Sequence, residues 1–296
     1  MTAEPLVAGV ELGGTKCIAV IARGAAIVDR FAVPTGTPEA TLPRLTAWLA
    51  ERSGFEALGL ASFGPLALDP AHPRFGQIVR TPKPGWSGAD IRGHFARVCP
   101  VPIGFDTDVN AAAVAEGLWG AAQGCDVHVY VTVGTGIGAG AVVGGRAVHG
   151  RVHPEIGHIR VRRKADGFPG LCPFHGDCIE GLASGPAIAA RAGASADALP
   201  PDHPVWNAVA FELGELVAIL VLALSPQRIL IGGGVGFGQR QLLPLIRTRA
   251  AECLAGYLEG YDEAALATVI RHPRFGVDAG PMGAIALARA AWEHDD

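Results

Sequence analysis

In the stretch CPFHGDCIE, Cys172 to Glu180, two thiols flank an imidazole at even spacing, and a second imidazole upstream, His158, completes H-x13-C-x2-H-x2-C. Two thiolates and two imidazoles form a regular tetrahedral zinc set. If His158, Cys172, His175 and Cys178 all bind, no position stays open for water, so such a zinc is structural. A redox pair or two unpaired thiols are the other uses of Cys172 and Cys178. His153 lies outside this spacing and reads as a loop histidine.

Two acids ride on the same ligands: Glu155, three residues before His158, and Glu180, two after Cys178. Carboxylates held by a metal-tied loop grip neighbouring hydroxyls of a sugar better than mobile ones do. His158 could offer its second ring nitrogen to the same ligand. Taken singly, Glu155 and Glu180 read equally well as solvated loop acids.

The segment FDTDVN places Asp106, Asp108 and Asn110 where a buried strand gives way to a helix. Ligands in open α/β sheets gather at such strand ends, and a carboxylate there can take the proton of a substrate hydroxyl. That role is expected for Asp108, against the plainer use of Asp and Asn as helix N-caps. Asp106 suits a magnesium ion held through water.

Three glycine turns each follow a buried strand: GGT at Gly13-Gly14-Thr15, GTGIG at Gly134 to Gly138, led by Gly134-Thr135-Gly136, and GGG at Gly232-Gly233-Gly234. Such turns expose successive N–H groups and let phosphate oxygens approach closely. Any one alone is an ordinary tight hairpin, but three at strand ends point to a nucleotide. None matches the Walker pattern. Lys16, beside the first turn, adds positive charge or merely decorates a hairpin edge.

These residues need a scaffold, and the glycines mark it. Val7 to Arg30 and Val129 to Arg151 both read as strand, glycine turn, strand, turn, strand, so one β-meander occurs twice and a duplicated α/β lobe follows. Further strands are expected at 57–63, 101–105 and 228–235, and helices at 40–53, 110–122, 185–192, 206–224 and 282–292. Asp69 to Gly88, rich in Pro and Gly, reads as a long loop on the first lobe at a ligand mouth. At 296 residues and 49% hydrophobic, the chain can bury roughly three-quarters of its unfolded surface. Its formal charge of -4 gives no basic field for nucleic acid. The longest apolar run, Leu216 to Leu224, falls short of the ~20 residues that span a bilayer, so no membrane partner and a cytoplasmic protein are expected. Cys17, Cys99, Cys125 and Cys253 have no partner by spacing and read as small buried apolar residues.

Together, ELGGTK, FDTDVNAAAVAEGLWGA, VTVGTGIGAGAVVGGR, HPEIGHIRVRR, CPFHGDCIEGLASGPA, ILIGGGV and PMGAIALA resemble the ROK family of sugar kinases, and within it the bacterial fructokinase branch. The resemblance implies an α/β, two-lobed actin-like ATPase (ribonuclease H-like) fold with duplicated domains around a central cleft. The small lobe would hold 1–109 with 282–296, and the large lobe 110–281, including the zinc loop 158–178. It further implies Asp108 as general base and Asn110, Glu155, His158 and Glu180 as sugar ligands. The Gly13 and Gly134 turns would meet the ATP phosphates, with Gly232 to Gly234 near the adenosine. ATP, Mg²⁺ and a structural Zn²⁺ would be the cofactors, and a homodimer the assembly. Many relatives have Asp where this chain has Glu11. Most carry C-x-C-G-x-x-G-C, whereas the shorter C-x2-H-x2-C here resembles the fructokinase branch and favours fructose over glucose. The family's repressors add a DNA-binding module before the first glycine turn; here that turn begins at residue 13, which leaves it no room.

Overall fold

The computed structural model describes residues 4–295. Contacts divide them into two units. The first takes the chain up to Trp119, Arg146–Pro154 and the residues from Asp278 onward; the second takes Gly120–Gly145 and Glu155–Val277.

The first meander forms as expected, from β1 (Leu6–Leu12), β2 (Lys16–Arg23) and β3 (Ala26–Pro34). Buried in runs rather than alternately, β1 and β2 are written in Val, Ile, Leu and Ala with little polar interruption. Then follow α1 (Pro38–Ala50), β4 (Ala57–Ser62), a short α2 (Ile91–Ala96) that periodicity had not suggested, β5 (Ile103–Thr107) and α3 (Asp108–Trp119). The loop from Asp69 to Gly88 contains no helix or strand, yet it sends Ile78 and Trp86 fully into the core.

Later in the chain come β6 (Val127–Val133), β7 (Ile137–Val143) and β8 (Arg146–Ala147), then α4 (Ile179–Ala183), α5 (Gly185–Ala192) and α6 (Val205–Leu224). The series closes with β9 (Arg228–Gly232), α7 (Gly233–Gly238), α8 (Leu242–Leu254), α9 (Glu263–Val269), β10 (Ile270–Arg271) and α10 (Ala279–Asp295). One sheet runs β3-β2-β1-β4-β5 and the other β8-β7-β6-β9-β10. In both, the first two meander strands are antiparallel and the next two pairings parallel, so the duplication extends beyond the meanders.

Three expectations about single elements need correction. The third glycine run does not prolong β9 to Val235: Gly233 turns to φ +80, where a Cβ would fall 2.5 Å from Val133 O, and α7 begins there. The third helix begins at Asp108, two residues before Asn110. Lastly, α6 is by length and composition able to cross a membrane, although its longest apolar run is short. Most of α6 is buried within the second unit, so it reads as a core helix. Its Glu212, fully buried, takes two hydrogen bonds from Arg191 of α5 at 2.8 and 2.9 Å, and a third carboxylate–guanidinium contact ties Arg191 to Asp166 at 3.1 Å.

The last helix, α10, belongs to the first unit. Gly9, Gly59 and Gly104 stand in register on β1, β4 and β5 and form a bare stripe across the sheet. A Cβ on Gly59 would lie 1.8 Å from Ala284 O, and one on Gly104 2.3 Å from Leu287 O, so α10 rests directly on strand backbone. Contact with α10 also carries α3 into this unit: a Cβ on Gly283 would lie 2.6 Å from the Ala111 carbonyl carbon. The division therefore falls after Trp119 where the sequence suggested 109, and resumes at 278 rather than 282. Of the isolated cysteines, Cys17 and Cys99 are buried, whereas Cys125 and Cys253 are only half-buried.

Candidate active site and metal centre

At the end of β5, Thr107 does the capping. Its Oγ1 accepts the Asn110 N–H at 3.1 Å, so that N–H is not taken by Asp108, whose Oδ1 accepts the Val109 N–H at 2.9 Å. Burial pushes the Asp108 carboxyl up to about 6, with the charge of Asp106 adding to the effect. Glu11, at the end of β1, is pushed up to about 7 by burial and then by Asp108. Two neighbouring carboxylates raised in this way suit a divalent cation arriving with a nucleotide.

Asp106 is differently engaged. Its Oδ1 accepts the Thr107 N–H at 2.7 Å and the Asn110 amide at 2.8 Å, while His149 Nε2 lies 2.9 Å from Oδ2. With both oxygens committed inside the protein, Asp106 organises Asn110 instead of offering itself to magnesium. His149 carried no signal in the sequence, because only folding brings it to Asp106, 43 positions earlier. Nearby, His153 is a buried loop histidine whose Nε2 accepts the Leu66 N–H at 3.0 Å.

In the first glycine turn, Gly13 N–H closes on Lys16 O at 3.1 Å, and Thr35 Oγ1 donates to Gly13 O at 2.8 Å. Thr15 O accepts the Thr35 N–H at 3.0 Å, so the turn is tied to the end of β3 on both sides. Lys16 is exposed at the head of β2. The cation that reaches this turn is Lys83, whose Nζ donates to Gly14 O. It comes from the Pro/Gly loop and was not identifiable from spacing.

The second unit gathers the other two turns. A Cβ on Gly134 would stand 3.6 Å from Gly234 N, and Gly134 O accepts the Gly185 N–H at 2.7 Å. Glu180, in the first turn of α4, accepts the Ile137 N–H through Oε2 at 3.0 Å, and that oxygen would meet a Cβ on Gly136 at 2.7 Å. Thus Gly136 and Ile137 lie against the Glu180 carboxylate. Glu155 is exposed, and its carbonyl accepts the His158 N–H at 2.9 Å to open a single 3-10 turn. Gly157 inside that turn has no room for a side chain, since its Cβ would fall 1.7 Å from Ile137 O. The E-x-G-H spacing is thereby dictated by close packing on β7.

The four expected metal ligands converge, with all donor atoms within 4.8 Å of one another. His158 Nδ1 lies 3.5 Å from Cys178 Sγ and 3.7 Å from Cys172 Sγ, and His175 Nδ1 lies 3.6 Å from Cys172 Sγ. Zinc legs of about 2.3 Å to sulfur and 2.05 Å to nitrogen, at the tetrahedral angle, put S and N about 3.6 Å apart. Three of the six donor–donor distances therefore already match the edges of a zinc tetrahedron. Both thiols are buried, and without a cation burial pushes the Cys178 thiol up to about 11, the penalty that a bound metal would remove.

A family model described as "ROK family" matches residues 7–291, and the chain belongs to that family. The fold is accordingly the two-lobed α/β fold of the ROK sugar kinases, of the actin-like ATPase kind. The chain is 41% identical over 292 residues to the fructokinase of Zymomonas mobilis, covering 95% of this chain and 96% of that one. It is 38% identical over 289 residues to the fructokinase of Pediococcus pentosaceus, covering 97% and 98%. Among solved structures, a ROK glucokinase from Streptomyces griseus in complex with glucose and AMPPNP is similar at TM-score 0.77 and 26% identity, over 96% of this chain and 99% of that one.

Proposed function

We propose that this chain is a cytoplasmic, homodimeric fructokinase that transfers the γ-phosphoryl group of MgATP to fructose, giving fructose 6-phosphate. The observation that carries the reading is the 38–41% identity to fructokinases over nearly the full length of each partner. The shorter C-x2-H-x2-C loop supports the same substrate.

Asp108 is the base. Its carboxyl, raised to about 6, is ionised at neutral pH yet basic enough to take a hydroxyl proton. As the sugar oxygen attacks phosphorus in line, the proton passes to Asp108 and ADP leaves. Asn110, its amide oriented by Asp106, binds a sugar hydroxyl, as do Glu155, His158 and Glu180. Since Oε2 of Glu180 already holds Ile137 N–H, Oε1 is the atom that meets the sugar; since His158 turns Nδ1 to the thiols, Nε2 is its sugar-facing nitrogen. Gly13, Gly14 and Thr15 with Lys16, and Gly134, Thr135 and Gly136, receive the nucleotide phosphates; Gly232, Gly233 and Gly234 border the adenosine. Magnesium, arriving with ATP, supplies charge neutralisation on the phosphates. Zinc on His158, Cys172, His175 and Cys178 would supply rigidity to the loop bearing Glu180.

The test is ADP release from MgATP with fructose, glucose, mannose, N-acetylglucosamine or N-acetylmannosamine, against a no-sugar control. Strong stimulation by fructose alone is expected. Preference for another sugar would move the substrate, and no stimulation by any would remove the kinase reading.

A further inference from the structure

The segment Lys83-Pro84-Gly85-Trp86 folds as a tight turn for reasons legible in its residues. Pro84 presets the first central position, Gly85 adopts φ +79 at the second, and Trp86 N–H returns to Lys83 O at 3.3 Å, a type II arrangement. Trp86 anchors it: the indole is 1% exposed, donates through Nε1 to Gly36 O at 2.8 Å, and meets Phe63 edge-on at 5.1 Å. The backbone of Lys83 is therefore held by the core, and its side chain has a defined origin.

That side chain ends on the first glycine turn. Nζ donates to Gly14 O and lies 5.2 Å from the Phe63 ring. Burial lowers the Lys83 pKa, and among the described residues none of the ion pairs includes it. An ammonium is a compact, strongly hydrated charge, and half-burying it against one carbonyl and a ring face leaves it short of solvation. Its head points at a backbone turn fit to receive phosphate, so the counter-charge comes with the nucleotide. Lys16, the cation suggested by sequence proximity, is exposed.

We propose that Lys83 is a catalytic residue that contacts the phosphoryl group during transfer; this rests on the kinase reading above. The new bond forms between the sugar oxygen and the γ-phosphorus, and the bond from that phosphorus to the β–γ bridging oxygen breaks. The electron pair leaves with ADP, and the sugar proton goes to Asp108. Lys83 keeps its own protons and gives a charge-assisted hydrogen bond to a transferring oxygen, released from Gly14 O to do so.

The experiment compares wild type, Lys83→Met and Lys83→Arg in fructose-dependent ADP release, with thermal melts as a fold control. Lys83→Met is expected to lower kcat by ~10²-fold or more, with fructose KM changed by less than about threefold, and Lys83→Arg to fall between. A second readout uses ADP, fructose and aluminium fluoride as a transition-state mimic. Fluoroaluminate should tighten ADP binding to wild type, while Lys83→Met should lose that tightening and keep its affinity for ADP alone. Wild-type kcat in Lys83→Met, or tightening that survives the substitution, overturns the inference with the kinase reading intact. If wild type itself responds to no sugar, the kinase reading falls. ATP affinity unchanged in Lys83→Met would then overturn the Lys83 inference on its own. Should Lys83→Met melt early, Lys83→Gln, which removes the charge but keeps a polar head, with undiminished kcat and tightening overturns it.

Discussion

His149 Nε2 lies 2.9 Å from Asp106 Oδ2, and at that distance from a carboxylate the ring nitrogen must carry the proton. The 3.3 Å approach of the same nitrogen to the Asn110 amide is then proximity of two donors rather than a bond. The hydrogen bond to Asp106 raises the His149 pKa above its ordinary value. Such a group contributes stability fully below about pH 6.5, and the charged part of it is lost as pH rises through the raised value. With the ring 44% exposed, the effect is discounted to about 0.5–1 kcal/mol. His149→Ala should lower Tm by about 1–4 °C at pH 6 and by less at pH 9. Thermal melts showing the same loss at both values would remove the ionic component.

The raised carboxyl of Asp108 sets an acid limb on the reaction. Only its ionised form accepts a proton, so kcat/KM should fall about tenfold per unit below pH ~6 and level off above. Asp108→Asn should lower kcat by ~10²-fold or more with little loss of fructose affinity. A pH–rate profile and calorimetry on the variant check both; near-normal turnover would end the case for Asp108 as base.

Glu11 carries its charge at a cost. A carboxylate whose folded pKa, about 7, exceeds its unfolded value destabilises the native state above pH 7, and the penalty vanishes below about pH 4.5. Glu11→Gln should therefore raise Tm by several degrees at pH 8 and leave it unchanged near pH 4.5. If Glu11 also serves magnesium, the stabilised variant should need more Mg²⁺ for half-maximal rate. Melts at the two pH values, with a magnesium titration, decide the matter.

Zinc held by the four converging donors would show as a stoichiometry. Elemental analysis should find about one zinc per chain, and none after Cys178→Ser or prolonged chelation. Loss of the metal should lower Tm and raise fructose KM more than it lowers kcat, because the ligands sit beside Glu180 and not beside Asp108 in the chain. Full zinc occupancy in Cys178→Ser would reject the four-ligand set.

The glycine stripe predicts an unforgiving position. Gly59→Ala drives a methyl into Ala284 O, a backbone atom that cannot swing aside, and should cost about 3 kcal/mol or more. Gly234→Ala is the control, since nothing lies within 4 Å of its Cβ position. Denaturant unfolding of both variants should separate them clearly.

Much of the architecture was written locally. Buried apolar runs split by glycine turns announced both meanders, and Cys172, His175 and Cys178 announced their own convergence through spacing. What escaped depends on distance along the chain. His149 and Lys83 acquire meaning only when β5 and the first glycine turn are brought to them, and no local pattern records such a meeting. Thr107 escaped for a different reason: beside two aspartates it looked incidental, yet its hydroxyl is the cap that spares Asp108. The end of β9 has the same root, because a glycine can continue a strand or end it, and Val133 O decides.

The glycine stripe also has a history within each molecule's making. Gly9, Gly59 and Gly104 are laid down early, but the helix that covers them begins at Ala279, after the chain has left the first unit and returned. Roughly 180 residues separate Gly104 from Ala284. At about 5–20 residues per second, a ribosome needs roughly 10–40 s to supply the cover. Throughout that interval the glycine stripe of the nascent first sheet is without the helix that covers it.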